Sequence, residues 1–220
     1  MDTTRTTKLF LVLGLLVAAA SLLFWFQFKR ARAIVIEGAP GPLVSADTYI
    51  IAAESTDASL GNPGAPLTII EFIDLGDETS IALHQSLAAF VDAHPKDARL
   101  VWKDFPSKKL FSTDTTLLHA AAWCAGQQNK FWPFVTAVIK TKPASSLSTL
   151  KKVSGELSLN STEWEYCLTA PTTAEHLAAS VASGHSVGVS DAPALFVNNK
   201  KISLTAGVDI PQMLTTFIAP

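Results

Sequence analysis

One stretch, residues 67–74, constrains the fold more than any other. It reads Leu-Thr-Ile-Ile-Glu-Phe-Ile-Asp, and most of its positions are β-branched, aliphatic or aromatic. Such a run is typical of a central strand that is covered on both faces of a sheet. The Gly-Asn-Pro-Gly-Ala-Pro of residues 61–66 marks its start, because prolines fix φ and remove backbone donors. We therefore predict a buried strand here.

A helix is predicted directly after this strand. Apolar residues recur at helical spacing between Leu83 and Val91, which indicates a helix from about Asp77 to about His94. Corners between a strand and a helix are where α/β folds place their binding sites. A second strand is predicted over residues 99–106. Strand, helix and strand together favour a right-handed parallel unit.

Charge and length limit the function classes. The 220 residues and 48% hydrophobic content suit one globular domain plus a membrane anchor. The formal net charge is −2, but the first 33 residues hold five basic residues and one acidic residue. The remainder therefore holds 12 basic and 18 acidic residues, a net charge of −6. The chain after residue 33, called the body below, is mildly acidic and has no stripe of basic residues. This argues against nucleic-acid binding.

An apolar segment near the start predicts a membrane anchor. Residues 9–28 carry no charge, and a run of about 20 apolar residues is long enough to span a bilayer. We predict a short tail at 1–8, a transmembrane helix at 9–28 and a linker at 29–60, with one short strand near residues 48–53. The alternative is a cleaved signal peptide, since Ala31-Arg32-Ala33 has small residues at suitable positions. Charges flank both ends of the segment, so they do not fix its orientation.

The corner sequence resembles that of a known family. Phe-Ile-Asp-Leu-Gly-Asp-Glu-Thr-Ser at residues 72–80 is similar to the strand-to-helix corner of DsbA-like thioredoxin-fold disulfide oxidoreductases, where a CxxC motif opens the helix. Asp77 stands at the first cysteine position and Ser80 at the second. Disulfide exchange needs an attacking thiolate and a resolving thiol, which a carboxylate and a hydroxyl do not supply. An aspartate at this position is suited to cap the helix through the Ser80 N–H.

Two further segments carry the resemblance. Residues 188–199 are similar to the family's cis-proline loop, strand and hairpin turn, so Pro193 is expected to be cis and to face the Asp77 corner across a groove. In the family, the residue before that proline, here Ala192, presents its backbone to an extended peptide. Residues 122–132 are similar to the family's helical signature.

The resemblance covers about residues 60–218 and implies a fold class. That class is an α/β thioredoxin fold with an inserted helical subdomain. The thioredoxin-like domain would comprise residues 61–106 and 188–220, and the inserted helical subdomain residues 107–187. The resemblance also implies an extracytoplasmic body, because the family works in oxidising compartments.

Cys124 and Cys167 are the only two cysteines. They lie 43 positions apart on predicted helices of the insertion, and some relatives have a structural disulfide there. Two buried free thiols are the alternative. Neither the spacing nor the position suits catalysis by this pair.

Other polar residues give weaker signals. The five histidines show no spacing that places two on one helical face, so we predict no metal site and expect surface or packing roles for them. Glu71 and Asp74 resemble the buried acid that assists thioredoxin-type exchange. Without the cysteines, such an acid has no exchange reaction to assist. We expect solvated or hydrogen-bonded carboxylates instead.

The apolar segment and the resemblance together imply a membrane-anchored, extracytoplasmic, redox-inactive protein without a cofactor or a catalytic residue. An envelope protein or an extended peptide would bind in the groove between Asp77 and Pro193, and the bilayer would hold the N-terminal helix. One alternative is an enzyme, either an oxidoreductase that uses the cysteines or a thiol-cofactor transferase that uses Ser80. Another is a structural subunit of an envelope complex.

Overall fold

The computed structural model describes residues 44–45, 47–106, 114–141, 146–205 and 208–218. The transmembrane helix predicted at residues 9–28 lies outside these ranges. Within them, no helix combines the length and the apolar character that a bilayer crossing requires.

The described residues form a mixed sheet of five strands in the order β1-β3-β2-β4-β5. The strands are β1 (Ser59–Gly61), β2 (Leu67–Ile73), β3 (Ala98–Asp104), β4 (Ala194–Val197) and β5 (Lys200–Ile202). Strands β2 and β3 are parallel and the other pairs are antiparallel. The central, buried strand predicted from residues 67–74 is confirmed as β2. The short strand predicted near residues 48–53 is wrong, because that segment is a loop, and the strand that precedes β2 is β1.

Seven helices complete the part of the chain that the structure describes. They are α1 (Glu78–Ala93), α2 (Thr116–Gly126), α3 (Phe131–Lys140), α4 (Leu147–Glu156), α5 (Ser161–Thr169), α6 (Pro171–Ser186) and α7 (Ile210–Ile218). Helix α1 connects the parallel strands, helices α2 to α6 lie between β3 and β4, and α7 follows the last hairpin. An α/β thioredoxin-like fold is thus confirmed.

The two faces of the sheet bury different apolar groups. In β2, Leu67, Ile69 and Ile73 belong to the larger core, whereas Ile70 and Phe72 belong to a second cluster on the other face. This alternation follows from the period of two in a strand. It also places Glu71, which is fully buried, on the face of the larger core.

The strand register brings three connections to one edge of the sheet. This edge is the one where β2 and β3 end and β4 begins. Ile73 at the end of β2 lies opposite Asp104 at the end of β3, and Phe72 lies opposite Ala194 at the start of β4. The corner loop after β2, the segment after β3 and the loop before β4 therefore meet at this edge. The sheet positions the candidate site described below.

Candidate functional site

The corner between β2 and α1 is a capped helix start. The Asp77 carboxylate Oδ2 accepts the backbone N–H of Ser80 at 2.7 Å, so the predicted cap is confirmed. The Asp74 carboxylate accepts the N–H of Gly76 at 2.8 Å, and the Asp74 carbonyl accepts the N–H of Asp77 at 3.1 Å. These bonds fix the loop, and the anion at the helix start is a carboxylate rather than a thiolate.

Ser80 lies beneath the corner rather than on its surface. Its side chain is fully buried, and its Oγ has no hydrogen-bond partner among the described residues. A nucleophile needs a base within hydrogen-bond reach and access to its substrate. The Ser80 hydroxyl meets neither condition in this geometry.

The cis-proline loop lies at the same edge of the sheet. The Ala192–Pro193 peptide bond is cis, as the resemblance predicted. Both residues are partly exposed, and no hydrogen bond from the Ala192 backbone N–H or to its C=O is found within the described residues. An extended chain could therefore pair with this main chain.

A buried carboxylate lies under α1. Glu71 Oε1 is 2.7 Å from His84 Nδ1, and Glu71 Oε2 has no partner within the described residues. Burial raises the pKa of Glu71, and the hydrogen bond and charge of His84 only partly oppose this effect. The carboxyl is therefore easier to protonate than an exposed glutamate.

A second polar cluster joins the ends of β2 and β3 to two helices. His119 on α2 donates from Nδ1 to Asp104 Oδ1 at 2.7 Å, while its Nε2 accepts the N–H of Leu75 at 3.0 Å and lies 3.6 Å from Asp74 Oδ1. His176 on α6 lies with Nε2 3.2 Å from Asp104 Oδ2. The cluster thus connects the corner loop to the helical layer.

The electrostatics of this cluster favour charged carboxylates. Burial opposes ionisation of Asp104, but hydrogen bonds from His119, His176 and Trp102 outweigh it and hold its pKa well below the usual range. Burial lowers the pKa of His119, but the two carboxylates outweigh burial and raise it. Because the Leu75 N–H occupies the Nε2 lone pair, the imidazole in this geometry carries its proton on Nδ1.

Sequence reasoning missed these pairings. His84 and His119 are buried and bonded to carboxylates rather than filling space, whereas Glu71 and Asp74 are hydrogen-bonded, which is one of the two states expected for them. The partners are 13, 15 and 72 positions apart in the chain, so no local pattern marks them. The available signal was that both strands end in an aspartate at the same sheet edge.

The two cysteines form a disulfide. Cys124 on α2 and Cys167 on α5 are joined with an S–S distance of 2.04 Å and a Cα–Cα distance of 5.8 Å. Cys124 is fully buried, and Cys167 is partly buried. The bond therefore links two helices of the layer between β3 and β4, and the alternative of free thiols is wrong.

Comparisons with known proteins agree with this geometry. A family model described as thioredoxin matches residues 53–213. No curated protein matches the chain.

Solved structures share the fold at low sequence identity. A thioredoxin-like oxidoreductase from Silicibacter pomeroyi has a TM-score of 0.64 and 22% identity over 75% of this chain and 91% of its own. BdbD from Bacillus subtilis has a TM-score of 0.63 and 16% identity over 78% and 97% of the respective chains. The thiol-disulfide exchange protein alpha-DsbA2 from Wolbachia pipientis has a TM-score of 0.62 and 13% identity over 74% and 86%.

The matched region contains every strand and helix of the sheet edge described above. The chain therefore belongs to the thioredoxin family, and its structural neighbours are DsbA-like thiol-disulfide oxidoreductases.

Proposed function

We propose that this chain is a membrane-anchored, extracytoplasmic DsbA-like protein that binds an extended peptide or an envelope protein and does not exchange disulfides. The groove between the Asp77 corner and Pro193 is the binding site. The lipid bilayer holds the helix predicted at residues 9–28. No nucleic acid or cofactor takes part.

The observation that carries this proposal is the unpaired main chain of Ala192. Its N–H and C=O have no partner within the described residues, and the residue is partly exposed at the same edge of the sheet as the capped corner. A peptide in extended conformation supplies the complementary donor and acceptor, in the manner of strand addition to a sheet edge. Ala192 adds no side-chain hydrogen bond, so the main chain gives affinity with little sequence preference.

The lack of thiols at the corner supports a binding role over an enzyme. Asp77 and Ser80 occupy the helix start, and the only two cysteines are bonded to each other. For the Cys124–Cys167 pair to act as an oxidant, a substrate thiolate must reach one sulfur. Cys124 is fully buried, which opposes attack at its sulfur, and Cys167 is only partly exposed.

Backbone protection at Ala192 tests the binding proposal. S-carboxymethylated insulin B chain serves as an extended peptide that has no free thiol. We expect it to slow hydrogen exchange at the Ala192 amide, while exchange at the Lys200 amide in strand β5 stays unchanged. Unchanged exchange at Ala192 with saturating peptide would contradict the groove proposal.

An insulin-reduction assay tests the lack of exchange activity. We expect the full-length protein to give no turnover above the uncatalysed rate. The double variant Asp77→Cys with Ser80→Cys should gain turnover, because the helix start lowers the pKa of a thiol there. Turnover by the wild-type protein that disappears in Cys124→Ala would instead identify the alternative oxidoreductase.

Location is tested separately. Ile50 is 92% exposed, so Ile50→Cys offers a labelling site on the body of the protein. A membrane-impermeant maleimide should label this variant in intact cells, and alkaline carbonate should leave the protein in the membrane fraction. Labelling only after lysis would contradict an extracytoplasmic body.

A further inference from the structure

A cavity of about 440 Å³ lies next to the end of β3, where Trp102 and Asp104 line it. Its lining comes from the loop before β1, from β3, from α2, α3 and the connection between them, and from α6. The lining residues that bear on its chemistry are Asp57, Trp102, Asp104, Trp123, Trp132 and His176. The residues of the proposed groove do not line it, so this cavity is a separate site. Its volume falls within the usual range for small-molecule pockets, about 300 to 1,000 Å³.

Two tryptophans of the wall are held in place by histidines. Trp123 stacks on His176 with ring centroids 5.0 Å apart and an interplanar angle of 28°. Trp132 stacks on His84 at 5.6 Å and 3°, and its Nε1 donates to the Ser59 carbonyl at 3.2 Å. Both indoles are partly exposed. Fixed indole faces attract cations because of the ring quadrupole.

The charged groups in the wall are acidic. Asp57 and Asp104 line the cavity, and neither lysine nor arginine is among its described lining residues. Asp57 Oδ2 is paired with Lys103 Nζ at 2.5 Å, so its charge is compensated. Asp104 is buried, and its partners are the Trp102 indole at 2.8 Å and the two imidazoles. The Asp104 carboxylate therefore favours a cation in the cavity.

His176 supplies a hydrogen-bond acceptor. Its Nε2 lies beside Asp104, whereas its Nδ1 has no hydrogen-bond partner within the described residues. When Nε2 carries the proton and donates to Asp104, the Nδ1 lone pair accepts a donor from a ligand. The side chain of His176 is 12% exposed. An acceptor in an acidic, aromatic cavity suits an N–H of a protonated amine.

We propose that this cavity, walled by Trp123, Trp132, Asp104 and His176, binds a small primary ammonium compound. The indole faces attract the cation, the carboxylate adds charge complementarity, and His176 accepts an ammonium hydrogen. The proposal is independent of peptide binding in the groove. It assigns a second site on the same fold.

Calorimetric titration of the full-length protein tests this site. Benzylammonium is the probe, and benzyl alcohol is the neutral compound of similar shape. We expect benzylammonium to bind saturably, with a dissociation constant at least about tenfold lower than that of benzyl alcohol. The difference is expected because only the charged compound gains cation–π and carboxylate contacts. Equal binding of the two compounds, or no saturable binding of the amine, would overturn the proposal.

Two variants locate the binding. Thr56 is exposed at the rim of the cavity, so Thr56→Trp should fill the opening without disturbing the core and abolish amine binding. His176→Phe keeps a ring against Trp123 but removes the acceptor, and should weaken binding about fivefold. His185→Phe is the matched control on the same helix, because His185 does not line the cavity, and it should bind as wild type does. Amine binding that survives Thr56→Trp in the folded protein would contradict the assignment.

Discussion

The Asp77 carboxylate accepts the Ser80 backbone N–H at 2.7 Å, so the two positions that carry cysteines in the family's motif are joined here by a helix cap. A cap of this kind stabilises the helix start through a bond that a thiol makes poorly. The start of α1 is therefore held by a carboxylate.

The first prediction concerns this cap. Replacing Asp77 by alanine leaves the Ser80 N–H without its side-chain acceptor, and should lower the free energy of unfolding by about 1 kcal/mol. Urea unfolding followed by circular dichroism measures the change. Asp77→Asn is the control, because asparagine caps comparably, and it should lose much less. Equal losses in both variants would show that the charge, not the cap, matters.

The second prediction concerns the disulfide. Cross-linking residues 43 positions apart restricts the unfolded chain, so Cys124→Ala with Cys167→Ala should lower the free energy of unfolding by roughly 3 to 4 kcal/mol on the chain-entropy model. Urea unfolding measures it. Reductant should destabilise the wild-type protein comparably and leave the double variant unaffected. A variant as stable as wild type would indicate that the bond constrains little.

The third prediction concerns acid stability. The pKa of Asp104 is lower in the folded chain than its usual value, so its contribution is present above that usual value and is lost as the pH falls through the folded-state pKa. We therefore expect the wild-type protein to be less stable at about pH 3 than at about pH 5. The pH dependence of urea unfolding measures this loss.

Asp104→Asn is the comparison for that measurement. It should cost roughly 3 to 5 kcal/mol near neutral pH, because it removes one partner of a buried charged network. Its stability should fall less than that of wild type over the acid range. Parallel pH profiles for the two proteins would contradict the assignment to Asp104.

The fourth prediction concerns the space around the corner. A Cβ at Gly76 would overlap Thr115 Cγ2 and would come within 3.3 Å of Asp74 Oδ1. Gly76→Ala should therefore lower the free energy of unfolding by about 1 to 3 kcal/mol. Adding Thr115→Ser removes the overlapping methyl group and keeps the hydroxyl, so it should restore part of the loss. A full loss in the double variant would place the strain elsewhere.

Some of the fold could be predicted because local patterns encode it. The apolar run at 67–74 predicted the central strand, and the spacing of apolar residues after Asp77 predicted α1. The resemblance supplied the cis bond at Pro193 and favoured the Cys124–Cys167 bond. The edge strand β1 was not predicted, because its three residues are too few for a period to be recognised.

The polar networks could not be predicted in the same way. Glu71 is buried beside His84 because a strand alternates its side chains and α1 covers that face. Asp104 meets His119 and His176 because strand ends and two helices converge at one edge of the sheet.

The amino-acid sequence by itself determined the central strand, the helix that follows it, the capping residue at their corner and the lack of thiols there. These are properties of neighbouring residues, and hydrophobic period and capping chemistry act over a few positions. Only the tertiary structure decided in which direction burial and hydrogen bonds shift the pKa of each carboxylate, which histidines bind them and where a cavity opens. Those properties depend on distances between residues far apart in the chain, which packing sets.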